Sequence, residues 1–160
     1  MTNDAKTQLR PAFDSLTKMD VVSGLYRGVR FEVKMQKERE ADRFPFRNYY
    51  VYLREAMVPN FEEIWLADEL KRWSPTSPER VSHDYYGCSR LCNVDMHGGI
   101  NFYAKHGHSV GHRYVEIGCD YSHLYDDQRD WTIQDLFFDA CATIDDCFER
   151  GLLKDVEAKS

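Results

Sequence analysis

The 160-residue chain lacks the signatures that identify most enzymes at sight. There is no G-x-S-x-G nucleophile turn, no phosphate loop of the G-x-x-x-x-G-K form and no dinucleotide fingerprint, so standard hydrolase, kinase and dehydrogenase readings have no support. No apolar run nears the roughly 18 residues that a membrane helix needs, because charged or polar residues break every hydrophobic segment. Cysteines are few and odd in number, five in all, and no charged-then-apolar leader occupies Met1 to Asp20. Both features argue against a secreted disulfide framework and for a cytoplasmic protein with reduced thiols. Basic residues are outnumbered, 21 Lys plus Arg against 27 Asp plus Glu, for a net charge of −6. That field disfavours direct binding to nucleic acid or to an anionic membrane, and suits a basic protein partner or a bound cation. Internal repeats and low-complexity segments are also missing.

What is present is an aromatic-rich chain, 14% Phe, Trp and Tyr, of a length that suits one domain able to bury a core without disulfides or metals. The first 20 residues are polar and interrupted by Pro11, and are expected to be flexible or loosely docked. Val21–Tyr26 and Val29–Met35 read as strand, with Gly24 and Gly28 available for a bend. Lys37–Arg43 mixes both charge signs and reads as a solvated loop or a short exposed helix. Asn48–Leu53 is a second strand signal that puts Tyr49 and Val51 on one face and Tyr50 and Tyr52 on the other. Asn60 followed by Glu63 has the form of an N-cap with a reciprocal acid, which opens a helix expected over 61–73 and ending before Pro75. A ragged strand signal runs from Val81 to Val94, and clearer ones from Ile100 to Ala104 and from Tyr114 to Cys119. After a Thr132/Asp135 capping pair, Ile133, Leu136, Phe137, Ala140, Cys141, Ile144 and Phe148 recur at helical spacing up to Gly151. The expected fold is α+β: an antiparallel sheet of about four to six strands with a long C-terminal amphipathic helix and the 61–73 helix packed on it. Residues 21–152 form the domain and 153–160 a polar tail.

The candidate site lies between His97 and Asp126. Two strands folded about the loop from Lys105 to His112 have a mirror point near residue ~109, which brings His97 opposite the neighbourhood of Asp120. His97, Gly98 and Gly99 would then meet the D-x-x-H-x-x-D run of Asp120, His123 and Asp126 at one end of the sheet, as a ligand-binding set. His97, Asp120, His123 and Asp126 could hold a divalent metal, with Asp120 or Asp126 as base for hydrolysis, but the same residues also pin turns and cap helices, the commoner outcome. No other cofactor is expected. His106, His108 and His112 crowd the loop and read as an exposed, flexible tip more suited to partner contact than to catalysis. Cys88 and Cys92 have a metal-like spacing without a second pair, and Cys119, Cys141 and Cys147 sit in apolar contexts, so unreactive thiols are expected. Tyr85, Tyr86, Phe102, Tyr103 and Tyr114 could form a stacking floor for a base, although at strand period they more often build core.

The carboxy-terminal half, Met96 to Gly151, resembles a family of small uncharacterised bacteriophage and prophage proteins. In that family an H-G-G-[IL]-T-[FY] strand precedes a G-F-D-C-x-H-x-x-D strand end and a helix. Here the corresponding residues are His97-Gly98-Gly99-Ile100-Asn101-Phe102, then Gly118-Cys119-Asp120-Tyr121-Ser122-His123 with Asp126, then the helix carrying Cys141. Asn101 replaces the usual threonine, and Cys119 precedes Asp120 where the family cysteine follows it, so no role for that cysteine carries over. The resemblance implies an accessory protein in the host bacterial cytoplasm that binds and blocks a host macromolecule, such as an anti-defence inhibitor of the anti-CRISPR kind, and not an enzyme. The other expectation is a metal-dependent hydrolase or nucleotide-binding protein built on the His/Asp cluster.

Overall fold

The computed structural model describes residues 19–36, 46–66, 89–121 and 131–156. Five strands form one antiparallel sheet: β1 (Met19–Tyr26), β2 (Val29–Gln36), β3 (Phe46–Arg54), β4 (Phe102–His106) and β5 (Tyr114–Asp120). Their order across the sheet is β1-β2-β3-β5-β4, so β5 is inserted between β3 and its own hairpin partner. A 3-10 turn at Glu55–Met57 and the short helix α1 (Phe61–Trp65) follow β3, the helical turn α2 (Ser89–Cys92) precedes β4, and α3 (Ile133–Glu149) closes the chain's order of elements. The fold is α+β, as the periodicity predicts.

Strand alternation divides the sheet into two unlike faces. Val29, Phe31, Val33, Tyr49, Val51, Leu53, Val115, Ile117 and Cys119 are buried on the inner face. Leu136, Phe137, Ala140, Cys141, Ile144 and Cys147, at three- and four-residue spacing on α3, meet them. The helix starts on a capping box, in which Asp135 N–H donates to Thr132 Oγ1 (3.1 Å) and Thr132 N–H donates to Asp135 Oδ2 (2.9 Å). It ends on Gly151 at φ +75°, with Leu152 N–H bonded to Cys147 O and Gly151 N–H to Phe148 O, a Schellman arrangement.

Several local expectations are corrected. The bend between the first two strands lies at Arg27-Gly28, both at positive φ, and not at Gly24. Gly24 is needed for clearance: a Cβ there would lie 2.3 Å from Phe31 Cζ and 2.8 Å from Phe137 Cζ, two rings packed edge to face at 4.5 Å. Asn60 takes a left-handed conformation and makes no side-chain cap, so it opens α1 through its carbonyl alone, and Glu63 turns to Arg90 instead (3.4 Å). The part of that helix expected beyond Leu66 lies outside the described residues. Ser89–Cys92, read as the end of a ragged strand, is helical, and Leu91, Val94 and Met96 plug the core as a turn would, one side chain at a time. Leu153, expected in a polar tail, is buried, and Lys154 N–H donates to Met57 O (2.8 Å).

Gly24→Ala is expected to force Phe31 off its partner and to cost about 1–3 kcal/mol, read as a lower urea midpoint at unchanged slope.

Candidate functional site

The β4–β5 register pairs Phe102 with Gly118 and His106 with Tyr114, one residue away from the expected mirror. Alternation along β5 and into the residue after it puts Cys119 and Tyr121 on the inner face and Asp120 on the outer one. His97 is therefore placed against Tyr121 and not Asp120: the two rings are stacked at 3.9 Å and 6°. Trp131 closes the cluster edge-on, 5.0 Å from His97 and 4.8 Å from Tyr121. Asp120 accepts from Asn101 Nδ2 (2.6 Å). Gly98 and Gly99 both have positive φ, and Gly99 N–H closes a tight turn on Met96 O (2.7 Å). His123 and Asp126 lie outside the described residues, so the four-residue metal set is described only at His97 and Asp120. Among the described residues no group of three or more His, Cys, Asp or Glu side chains is arranged to hold a metal ion.

Beneath His97 runs a buried polar chain that the sequence does not reveal. Thr143 Oγ1 on α3 donates to Asp95 O (2.7 Å), which spends its single proton. Tyr49 Oη must then donate to Thr143 Oγ1 (2.8 Å), leaving its lone pairs to accept His97 N–H (3.3 Å). The run ties β3, α3 and the loop bearing His97 through a phenol that is 1% exposed. Burial drives the Tyr49 hydroxyl well above the ordinary phenol range. Tyr121 is pushed up the same way, by burial first and then by its hydrogen bond to Asp139. Burial also pushes the thiols of Cys119, Cys141 and Cys147 up to about 12, so all three stay protonated and poorly nucleophilic. Cys88 and the Cys92 side chain lie outside the described residues, as do Tyr85 and Tyr86.

The hairpin loop is exposed at His108 and His112 but is held by one ion pair. Glu55 takes Arg113 in a fork, Nη2 to Oε1 at 2.7 Å and Nε to Oε2 at 3.1 Å, and also accepts Gly111 N–H (2.7 Å). Arg113 further pairs with Glu62 and lies 4.8 Å over the Trp65 ring and 5.2 Å over Phe61. These donors hold the Glu55 carboxyl down at about 2, the Arg113 fork being the largest cause. Tyr103, counted with the stacking candidates, points inward and donates to the carbonyls of Ile64 and Trp65 at the end of α1.

The outer face is where the remaining aromatic residues collect. Tyr50 packs edge-on to Phe102 (5.2 Å), and Tyr52 to Tyr114 (5.7 Å), whose ring is stacked on His106 (4.6 Å). Tyr50 lies over Gly118, where a Cβ would come within 2.4 Å of its ring. Lys34 stands 5.1 Å over Tyr50 and Arg30 4.9 Å over Tyr52, while Glu32 and Glu116 balance the charge, the latter bonded to His106 (2.8 Å). Phe102 is 39% exposed. Comparisons with known proteins place no relative beside these sites: no family model, no curated protein and no solved structure matches the chain. No helix of the described residues is long and apolar enough to cross a membrane.

Two outcomes follow from this geometry. Tyr49→Phe leaves His97 N–H and one Thr143 lone pair without their partner, and is expected to cost about 1–3 kcal/mol and to speed amide exchange at His97. For Glu55, the folded carboxyl at about 2 lies below its ordinary 4.5, so its contribution is complete above 4.5 and is lost as pH falls toward 2. Acid unfolding of Glu55→Gln should show a shallower dependence across that window than the parent protein.

Proposed function

We propose that the protein is an accessory protein of the phage or prophage kind that binds and blocks a host macromolecule, with the outer face of the sheet as its contact surface. The observation that carries this reading is the paired aromatic patch of Tyr50, Phe102, Tyr52 and Tyr114, spread over β3, β5 and β4 and rimmed by Arg30, Lys34, Glu32 and Glu116. Rigid tyrosine and phenylalanine rings give large contact area at low entropic cost, and flanking charges of both signs fix orientation. Such a rim suits a protein partner better than a nucleic-acid backbone, which needs an unbalanced positive surface. The net charge of −6 favours a partner with a basic surface, such as the nucleic-acid channel of a defence nuclease. This reading places the protein in the host bacterial cytoplasm and gives it no chemical step.

The test is capture from lysates of bacteria carrying defence systems, followed by binding of the purified partner. Phe102→Ala with Tyr52→Ala should weaken that binding at least tenfold while the thermal midpoint stays within a few degrees. Added salt should slow association of the unaltered protein. A partner that binds the double variant as tightly as the parent would remove the outer face from the reading.

A further inference from the structure

A second surface lies on the helix side of the sheet. Arg90 from α2, Asn93 just after it, and Arg150 and Leu152 at the end of α3 line an open cavity of about 310 Å³. We propose that this cavity binds a phosphate-like oxyanion carried on a small molecule, with Arg90 and Arg150 as its two forks and Leu152 as its apolar floor. The two arginines lie far apart in sequence, and the chain carries an excess of acid, so their convergence on one cavity is a product of the fold.

Each guanidinium is anchored by one edge. Arg90 Nη1 donates to Pro59 O (2.6 Å) and more distantly to Asn60 O and Glu63 Oε2 (both 3.4 Å). Its closest acceptor is a neutral carbonyl, and Glu63 is more than half exposed, so the positive charge is only partly offset. Arg150 Nε donates to Asp146 Oδ2 (2.8 Å), an oxygen that also accepts Asp95 N–H (2.8 Å). An arginine carries five N–H donors in a fixed plane, so this anchoring orients each group and leaves Arg90 Nη2 and both terminal nitrogens of Arg150 for a ligand. The end of a helix ordinarily repels an anion through its open carbonyls. Here the Asp146, Cys147 and Phe148 carbonyls accept from Arg150, from Leu152 and Leu153, and from Gly151, and that repulsion is reduced. The volume stands at the lower end of small-molecule sites. Leu152, only 2% exposed, gives the cavity a rigid base.

The full-length ¹⁵N-labelled protein titrated with inorganic phosphate, at ionic strength held constant with chloride, provides the test. Saturable shifts are expected at the Arg90 and Arg150 Nε–H and at the Leu152 amide. Arg150→Gln should weaken binding about tenfold, the loss of charge-assisted hydrogen bonds, with its phosphate-free thermal midpoint close to that of the parent. Arg150→Lys should recover only part of that loss, because a point charge does not replace a fork. Acetate in parallel distinguishes the ligand's source: tighter phosphate identifies a phosphomonoester and tighter acetate a carboxylate, the first upholding the proposal and the second overturning its phosphate assignment. Shifts that do not saturate, or an Arg150→Gln protein that binds phosphate as the parent does, would reduce the site to a surface of no special affinity. Neither result bears on the outer face of the sheet, since no residue is shared.

Discussion

One amphipathic helix covers one face of a sheet, and the rest of this structure follows from that limit. At 1.5 Å per residue, the 17 residues of α3 span about 25 Å, comparable with the width of a five-stranded sheet at about 4.8 Å per strand. The helix lies against β2 and β3, and the inner face can be apolar because α3 is there to meet it. Among the described residues no helix lies over the outer face, so that face shields itself. Tyr50 folds down on Gly118, Lys34 and Arg30 lie over the Tyr50 and Tyr52 rings, and His106 covers Tyr114. Self-shielding by rings and snorkelling cations keeps apolar area small without removing it. What remains is a partly exposed aromatic face, Phe102 at 39%, over which the described residues place no second layer.

Two polar groups buried between the layers illustrate the cost of that arrangement. Tyr49 Oη and Thr143 Oγ1 are both cut off from water, and an unpaired hydroxyl there would destabilise the domain by more than its bond contributes. The structure meets this with a run of one-way donations from the His97 amide to the Asp95 carbonyl. Because every proton in the run has one place to go, the loop at 95–99 is fixed in register to both β3 and α3. The Glu55–Arg113 fork does for the β4–β5 loop what this run does for the 95–99 loop. Both tie an irregular segment to the scaffold by charge or hydroxyl chemistry.

Periodic features were legible in the sequence, and non-periodic ones were not. The division of Tyr49 and Val51 from Tyr50 and Tyr52, the Thr132 capping box and the stop at Gly151 each rest on a local rule that the sequence itself contains. The Tyr49–Thr143 bond joins positions far apart in the chain, and nothing near either residue signals the other. The same is true of Glu55 and Arg113. Asn60 had the residue type of an N-cap but not the backbone of one: at φ 54° it makes no side-chain cap, and Glu63 lies 3.4 Å from Arg90 instead of closing the box. Gly24 was visible as a glycine, but its purpose, room for Phe31 and Phe137, depends on which strand and helix lie above it.

The His97 cluster shows how much rests on parity. A strand turns its side chains by half a revolution at each step, so Asp120 and Tyr121 face opposite ways, and it is the ring and not the acid that shares the inner side with His97. With Tyr121 in that place, the imidazole lies flat on an aromatic face with Trp131 tilted against both rings, and its amide donates to Tyr49 Oη. Asp120 leaves on the other side of the strand with Asn101 as partner. Of the four residues expected as metal ligands, His97 and Asp120 thus lie on opposite sides of the strand, while His123 and Asp126 lie outside the described residues. The stack and the hydroxyl run beneath it together hold the 95–99 loop in place. His97 is thereby fixed twice, by its ring in the stack and by its amide on Tyr49, and the parity of the strand decides which neighbour it meets.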